Sequence, residues 1–516
     1  MRASGILLHI SSLPSPHGIG TMGAAAKDFV DFLVKAGQAY WQILPVCPTS
    51  YGDSPYQSFS TFAGNPYFID LDLLAKAGLL QSEDFESIDW ESTPDCVNYG
   101  ALYQKRYAVL HKACARLLAA PPADYADFLA KNAFWLPDYA LFMALKDAHN
   151  GVCWQQWEEP LRRREPETLA AARAKYAADI DFWQAVQYLF YTQWHDLKAY
   201  ANAQGIEIIG DLPIYVAEDS VDVWSCPQEF QLDENLVPTE VAGCPPDGFS
   251  ATGQLWGNPL FDWDAMAANG YAWWVRRIRH LCGIYDVLRI DHFRGFAGYY
   301  AIPYGDKTAE NGRWRTGPGY ALFATVKKEL GSPRIIAEDL GFLTDDVRAL
   351  LKECAYPGMK VLEFAFDSRD GGDYRPHSYP TNCIAYTGTQ DNEPVDGWFG
   401  TALPDDIERA IRYLNLTKEE GMNWGMMRGI WSSVADLAVV QAQDVLGLGH
   451  EARMNTPATL GGNWCWRALP GAFTPELAQK LHDAMELYGR LPEEPAAEPD
   501  ETEKSEDAEK AAEPKT

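Results

Sequence analysis

The stretch DVLRIDHF, residues 286–293, decides the fold predicted for this chain. It is a short apolar run that closes on an acidic residue, Asp291. A second stretch, RIIAEDLG at residues 334–341, has the same form and closes on Glu338. Short apolar runs of this kind, alternating with helical patterns, are typical of βα units that build a parallel sheet.

Eight such runs occur along the chain, and eight is the strand number of a (β/α)8 barrel. In chain order they are GILLHISSL (5–13), AYWQILPV (39–46), IEIIGDLPIYV (206–216), DVLRIDHF (286–293), RIIAEDLG (334–341), MKVLEFAFD (359–367), CIAYTGTQD (383–391) and PATLGGNW (457–464). After the first run, residues 24–37 place apolar side chains on one helical face and end at a glycine, as in a helix that packs on a sheet. We therefore predict an α/β protein with a TIM-barrel fold.

The barrel pattern is interrupted by insertions and followed by an atypical tail. Residues from about 81 to 200 are helical in pattern and predict an inserted, mainly helical subdomain, and a substrate-loop region is expected at about 225–260. After GGNWCWR a single helical pattern precedes the tail, so no C-terminal β-domain is expected. The catalytic barrel with its insertions then spans 1–490. The tail, 491–516, is expected to be disordered, because from Glu493 it has ten acidic residues, three lysines and no aromatic or branched aliphatic side chain.

The composition excludes several classes of partner. A formal net charge of -29 repels nucleic-acid phosphates and anionic lipids, so we expect neither nucleic acid nor a membrane as partner and favour a neutral substrate. The ten cysteines form no CxxC pair and no cluster with histidine, which predicts reduced thiols in a cytoplasmic protein without structural zinc. No apolar run approaches the roughly eighteen residues of a membrane helix.

Four acidic residues close apolar strings within these runs: Asp211 closes IEIIGD, Asp291 closes VLRID, Glu338 closes RIIAE and Asp391 closes AYTGTQD. A single acid of this kind is more often a loop residue or a helix N-cap. The C-terminal ends of barrel strands, however, face the active site, so four acids that converge there favour a catalytic role. Arg289 lies two residues before Asp291 on the same strand face, and its guanidinium is expected to favour the ionised form of that carboxyl.

An ionised carboxylate beside a fixed cation suits a nucleophile, and a second, protonated carboxyl suits a general acid. Together they form the pair that retaining glycosidases use for a double displacement, with the two carboxyl groups about 5–5.5 Å apart. The spacing does not choose between Glu338 and its neighbour Asp339 as the second carboxyl, because the two side chains point to opposite sides of a strand.

Several longer strings resemble those of a known group of enzymes. VLRIDHFRG, IIAEDLG and TGTQDNE, with GDLPIYV upstream, resemble the conserved regions of the α-amylase clan. Within that clan, LPSPHGIGTMG, YGDSPYQSFSTFAGNPYFIDL, PPDGFSATGQLWGNPLFDW and GGNWCWR are most similar to the amylomaltases, the 4-α-glucanotransferases of glycoside hydrolase family 77. The resemblance extends from about residue 5 to about residue 467.

The resemblance implies a role for each matching residue. It makes Asp291 the nucleophile, Glu338 the general acid and base, and Asp391 a third carboxylate that stabilises the transition state. It also implies a set of substrate-binding residues: Tyr56, Asp211, Asp247, Trp256, Arg289, His292, Gln390, Asn463 and Trp464. The implied reaction moves α-1,4-glucan segments to the 4-hydroxyl of glucose or of a maltooligosaccharide, and it needs no cofactor and no calcium.

Gln390 departs from the family pattern, which usually has histidine before the third carboxylate. A glutamine amide donates a hydrogen bond to a sugar hydroxyl, but it does not take up a proton near neutral pH. We therefore expect weaker sugar binding with the chemistry retained.

The segment PPDGFSATGQLWGNPLFDW, residues 245–263, is rich in glycine and proline and carries aromatic side chains. This composition predicts a mobile loop that presents Phe249 and Trp256 to a sugar, whereas packing in the core is the alternative for each ring. Tyr99 is a candidate for a second sugar platform away from the catalytic centre, and burial in the core is again the alternative.

Three other functions remain open at this point. A hydrolase of the same clan would carry the same catalytic residues, because only the attacking group, sugar or water, differs. A metal-dependent barrel hydrolase would use His9 and His292 with the strand-end acids, but an HxH motif is missing from the first run. A glucan-binding barrel without catalysis is suggested by Gln390 and opposed by the presence of all three carboxylates.

Overall fold

Eight parallel strands form the centre of the molecule. The computed structural model describes residues 2–50, 52–246, 250–341, 343–368 and 374–493, so the tail predicted at 491–516 lies outside the described residues from 494 onward. In chain order the central strands are Ala3–Leu7, Tyr40–Gln42, Glu207–Leu212, Val287–Ile290, Ile335–Ala337, Gly358–Val361, Cys383–Tyr386 and Leu437–Gln441.

The eight strands close into a barrel. Each strand pairs in parallel with its neighbours, and the first strand in the chain pairs with both the second and the eighth. The remaining gap lies between Ile335–Ala337 and Gly358–Val361, where the Ala337 N–H donates to the Pro357 carbonyl at 2.9 Å. The predicted TIM barrel is confirmed.

Seven of the eight predicted runs overlap a barrel strand, and the prediction for PATLGGNW (457–464) was wrong. The eighth strand is Leu437–Gln441, whose five residues are all buried. Residues 457–464 do not form a strand because Gly461 and Gly462 adopt φ values of 80° and 75°, outside the extended region. Leu460 in the same segment is 82% exposed, so the segment lacks the burial that defines a barrel strand.

A second, smaller sheet of antiparallel strands accompanies the barrel. Its strands, in spatial order, are Gln254–Pro259, Glu240–Cys244, Gly298–Pro303 and Arg313–Thr316. The prediction of a loop throughout 245–263 was therefore wrong for its second half. Gln254–Pro259 is an edge strand, and an edge position tolerates Gly257 at a φ of 79° and a terminal proline.

Helices fill the interval between the second and third barrel strands. They are Leu71–Lys76, Tyr99–Ala119, Tyr125–Lys131, Leu136–Ala148, Glu159–Arg162, Pro166–Lys175 and Ala177–Ala203. The last of them leads directly into the third strand, and its Trp194 indole N–H donates to the Ile284 carbonyl at 3.0 Å. One hydrophobic cluster includes side chains of these helices and of the barrel. A subdomain boundary near 81 and 200 stays a prediction.

The other helices cover the barrel or connect its strands. They are Ala24–Lys35, Val221–Ser225, Trp263–Ala268, Ala272–Ile284, Tyr320–Leu330, Asp345–Cys354, Val395–Thr401, Pro404–Leu414, Met422–Trp431, Ala442–Leu446 and Pro475–Leu487. Because they shield the sheet from water, strands such as Val287–Ile290 and Cys383–Tyr386 are buried at every position. Within the described ranges, we find no helix both long enough and apolar enough to span a bilayer.

Candidate active site

Arg289 connects two of the predicted acids at the C-terminal ends of neighbouring strands. The parallel register places Asp211 directly beside Arg289. One guanidinium nitrogen, Nη1, donates to both Asp211 carboxylate oxygens at 2.7 and 2.6 Å, and the other, Nη2, lies 3.1 Å from Asp291 Oδ1. Arg289 is only 2% exposed. A buried cation is thus shared between two carboxylates, which is a stable arrangement only when its hydrogen bonds are satisfied.

Glu338, rather than Asp339, faces the candidate nucleophile. Its Oε2 accepts the backbone N–H of His292 at 2.7 Å, and His292 directly follows Asp291 in the chain. His292 has a left-handed conformation with a φ of 47°, which is uncommon for a residue with a side chain. The carboxylate of Asp339 instead accepts the backbone N–H of Met359, on the next barrel strand, at 2.6 Å. These contacts favour Glu338 over Asp339 as the second carboxyl of the candidate pair.

Burial raises the pKa of both central carboxyls. For Asp291 the pKa lies well above the usual range, because desolvation outweighs the opposing charge of Arg289 and because nearby carboxylates add repulsion. Burial also raises the pKa of Glu338, against the effects of Arg289 and of two backbone N–H donors. Arg289 favours ionised Asp291 as expected, but it does not set the net direction. The pair is therefore expected to retain a proton at a pH where ordinary carboxyls have lost theirs.

Asp391 lies on the loop after the strand Cys383–Tyr386 and is held on both carboxylate oxygens. The Asn455 amide donates to Oδ1 at 2.7 Å, and the Gln390 amide donates to Oδ2 at 3.2 Å. Burial raises the pKa of Asp391, and the hydrogen bond from Asn455 is the main opposing influence. Gln390 is 3% exposed, and in this structure its amide is directed to the neighbouring carboxylate.

Aromatic side chains lie around the acids. The Tyr56 hydroxyl donates to Asp211 at 2.7 Å, and its ring centroid lies 5.7 Å from that of Trp464. The Trp256 ring meets the His292 ring edge-to-face, with 4.8 Å between centroids. Burial lowers the pKa of His292 to about 3, so this imidazole is neutral and suited to hydrogen bonding rather than to charge. The structure thus brings both tryptophans and Tyr56 to the acid cluster.

Two of the other predicted residues have clear structural contacts. The Asn463 side chain holds its own loop, because its oxygen accepts the Thr456 N–H at 3.0 Å and its amide donates to Thr459. Tyr99 is buried, and its hydroxyl donates to the Trp464 carbonyl at 3.0 Å, which favours the core alternative for this ring. Asp247 and Phe249 lie outside the described residues.

His9, the first of the two histidines of the metal alternative, is buried. Burial lowers the pKa of His9 to about 3, and its ring packs edge-to-face on Phe68 with 5.2 Å between centroids. Among the residues that the structure describes, no group of three or more His, Cys, Asp or Glu side chains is placed to hold a metal ion.

Two residues that contact Asp391 were not identified from the sequence. Besides the contact from Asn455, the Arg453 guanidinium donates to the Asp391 backbone carbonyl at 2.7 Å and pairs with Glu393 at 2.6 Å. Arg453 and Asn455 lie in a connecting segment without a strand or a recognisable motif. Glu393 lies inside the quoted string TGTQDNE, but no role was assigned to it.

Comparisons with known proteins identify the family to which the chain is similar. A family model described as 4-alpha-glucanotransferase matches residues 8–471. A 4-alpha-glucanotransferase of Clostridium butyricum is 49% identical over 485 residues, which cover 94% of this chain and 100% of that protein. One of Thermus thermophilus is 47% identical over 502 residues, covering 95% and 99%. The solved structure of amylomaltase from Streptococcus agalactiae in complex with acarbose has a TM-score of 0.93 at 43% identity, covering 95% of this chain and 100% of that one.

Proposed function

The chain belongs to the 4-alpha-glucanotransferase family, and from this membership we propose which of its residues carry out the reaction. The activity is the transfer of α-1,4-glucan segments to the 4-hydroxyl of glucose or of a maltooligosaccharide. Configuration is retained, so two successive displacements at the anomeric carbon are required. The main support for our assignment is the position of Arg289. This residue donates to Asp211, lies 3.1 Å from Asp291 and is beside the buried Glu338.

In the first displacement Asp291 is the nucleophile. Its carboxylate attacks the anomeric carbon of the donor while the bond from that carbon to the 4-oxygen of the next sugar breaks. Glu338 gives to the departing oxygen the proton that the pair of carboxyls retains, and Arg289, 3.1 Å from Asp291, favours the ionised form of the nucleophile. The product is a glucosyl ester of Asp291. Asp391 faces the positive charge that develops on the sugar ring.

In the second displacement the 4-hydroxyl of the acceptor attacks the ester carbon. Its proton passes to Glu338, which now acts as a base, and Asp291 leaves as a carboxylate. Water would complete the same step as a hydrolysis. A sugar bound over the ester excludes water from the site, which favours transfer.

The substrate is held by residues around these acids. We assign to substrate binding Tyr56, Asp211, Asp247, Trp256, Arg289, His292, Gln390, Asn463 and Trp464. The rings near the acids suit sugars, because tyrosine and tryptophan offer an apolar face together with a polar group. Asp211 and Arg289 hold each other in place by hydrogen bonds, and Arg289 also holds the nucleophile. We therefore assign to them both binding of the sugar and orientation of Asp291.

We also assign the enzyme to the cytoplasm. The assignment is supported by the ten cysteines, all of which lie in the described residues and none of which forms a disulfide. The acceptors and donors are neutral glucans, and the net charge of -29 opposes binding to nucleic acid or to anionic lipid.

Incubation with maltotriose tests the function. We expect glucose together with a ladder of longer maltooligosaccharides, without a net gain of reducing ends, and we expect Asp291→Asn to abolish both products. Glucose and maltose with rising reducing ends would identify a hydrolase instead. A full product ladder from Asp291→Asn would show that the assigned nucleophile is wrong.

A further inference from the structure

Three consecutive residues, Arg453, Met454 and Asn455, contact both Asp391 and the loop that carries Trp464. We call them the 453–455 arm. Asn455 donates from its amide to Asp391 Oδ1 at 2.7 Å and from its backbone N–H to the Gln390 carbonyl at 3.1 Å. The Met454 carbonyl accepts the backbone N–H of Trp464 at 2.6 Å. The arm therefore links the third carboxylate to one wall of the site.

The arm is itself fixed by a buried ion pair. Arg453 pairs with Glu393 at 2.6 Å, and the two side chains are 18% and 9% exposed. The same guanidinium donates to the carbonyls of Asp391 and Asn455 at 2.7 and 2.8 Å. The Arg453 guanidinium is bonded to three partners and therefore has little conformational freedom. The backbone of the 453–455 arm consequently has a defined position relative to Asp391.

The hydrogen bond from its chain neighbour, Gln390, holds the Asp391 carboxylate only weakly, so a second donor is needed to orient it. The Gln390 amide reaches Oδ2 at 3.2 Å, whereas the Asn455 amide reaches Oδ1 at 2.7 Å. A short hydrogen bond to a charged oxygen is the stronger of the two. Both donors are neutral, so they orient the carboxylate without cancelling the charge that faces the sugar.

Resting on the role of Asp391 given above, we propose that Asn455 is a positioning residue for the transfer reaction, which holds the Asp391 carboxylate toward the reacting sugar. Asn455 acts through Asp391 and through no contact of its own with the reacting atoms. Its loss removes the donor to Asp391 Oδ1, an oxygen of a half-buried carboxylate, and lets the carboxylate rotate. Misplacement of a catalytic group by about 1 Å costs on the order of 100-fold in rate.

The pH profile provides a readout that a purely structural role would not change. Burial raises the pKa of Asp391, and the Asn455 amide is the first of the groups that lower it. The titratable and charged groups that face this carboxyl are Tyr56, Arg289, Arg453, Asp211 and Asp291. Removal of the amide raises the pKa further, so ionised Asp391 appears only at higher pH. The acid limb of kcat/KM then moves to higher pH.

The test compares Asn455→Ala with Asn423→Ala. Asn423 is the control, because its amide likewise donates a short hydrogen bond to a protein oxygen, the backbone carbonyl of Asp444, at 2.8 Å; Asn423 is buried and Asn455 is half-buried. For Asn455→Ala we expect kcat for maltotriose transfer to fall roughly 10- to 100-fold, with KM changed less and the acid limb moved to higher pH. The control is expected to retain the wild-type kcat and pH profile. A wild-type kcat in Asn455→Ala would overturn the proposal.

Asn455→Asp keeps the shape of the side chain and covers the case in which the alanine variant fails to fold. It replaces the donor by a like charge, so kcat is expected to fall further and the acid limb to move further toward high pH. A wild-type profile in this variant would also overturn the proposal. The variant Asp391→Asn tests the role of Asp391 separately from that of Asn455. If Asp391→Asn remains fully active, the role proposed for Asp391 is wrong. If Asp391→Asn is inactive while Asn455→Ala is active, only the role proposed for Asn455 is wrong.

Discussion

Arg289 shows how single residues determine the chemistry of this site. It is 2% exposed, and its charge is shared between Asp211 and Asp291. Taking a cation out of water is costly, and the two carboxylates offset that cost. The same residue lowers the pKa of Asp291 against the effect of burial. It therefore contributes both to the stability of the barrel end and to the charge on the proposed nucleophile.

Removal of this charge is expected to destabilise the fold as well as abolish activity. In Arg289→Met, Asp211 loses its cation while it remains buried, and breaking a buried pair costs about 3–5 kcal/mol. Arg334→Met is the control, because its pair with Glu207 is half-exposed and such pairs contribute about 0–1 kcal/mol. Urea unfolding of both variants measures the difference. Equal free energies of unfolding for the two would contradict a structural role for the buried cation.

The candidate site residues that could be predicted from the sequence are those that lie in a short local sequence pattern. Asp291 and Glu338 each close an apolar run, and this pattern can be read within eight residues. Asn455 contacts a carboxylate 64 positions away in the chain, and nothing in its own neighbourhood predicts that contact. The choice of Glu338 over Asp339 likewise needed the backbone of His292, which turns its N–H toward Oε2.

At the scale of elements, burial separates the correct strand predictions from the wrong one. Seven predicted runs overlap a barrel strand, and their apolar side chains are covered by helices. The eighth run, 457–464, combined glycines with an exposed leucine, whereas Leu437–Gln441 is apolar up to its last residue and is buried at every position. The edge strand Gln254–Pro259 was not predicted, because its glycine and proline are residues more typical of a loop.

Asp444 contacts the segment that carries Asp391, and its pKa leads to a prediction about the pH dependence of stability. It lies in the helix Ala442–Leu446, accepts the Thr387 hydroxyl at 2.5 Å and accepts the Val395 N–H at 2.7 Å. Burial raises its pKa to about 7. Its unfolded pKa is about 3.9, so its contribution to stability is fully present below pH 4 and is lost as pH rises to 7, by about 1.4 kcal/mol per pH unit.

The variant Asp444→Asn removes this titration and keeps the shape of the side chain. We expect its free energy of unfolding to decline less between pH 4 and pH 7 than that of the wild type. Denaturant unfolding at pH 4.5, 5.5, 6.5 and 7.5 gives the two profiles. If the profiles run parallel, Asp444 is already ionised in the folded protein and its burial does not set its pKa.

At the scale of the whole molecule, the barrel places every proposed catalytic group at one end. Parallel strands bring their C-terminal ends to one face, so residues as distant in the chain as Asp211 and Asp391 act on one another. This convergence could be predicted, because it depends only on strand order and on which residues close the runs. The positions of the side chains around Asp391 depend on loops, whose backbone follows no periodic pattern.

The central claim is that the reaction proceeds through a glucosyl ester of Asp291. Glu338→Gln with α-glucosyl fluoride tests it directly, because fluoride departs without a proton from an acid, whereas a sugar acceptor in the second step needs a base. The ester should then accumulate. Trypsin cleaves after Arg289 and Arg294, so mass spectrometry is expected to find the added glucosyl group on the peptide 290–294, at Asp291. A glucosyl group on another peptide, or turnover with inverted configuration and no adduct, would contradict the account.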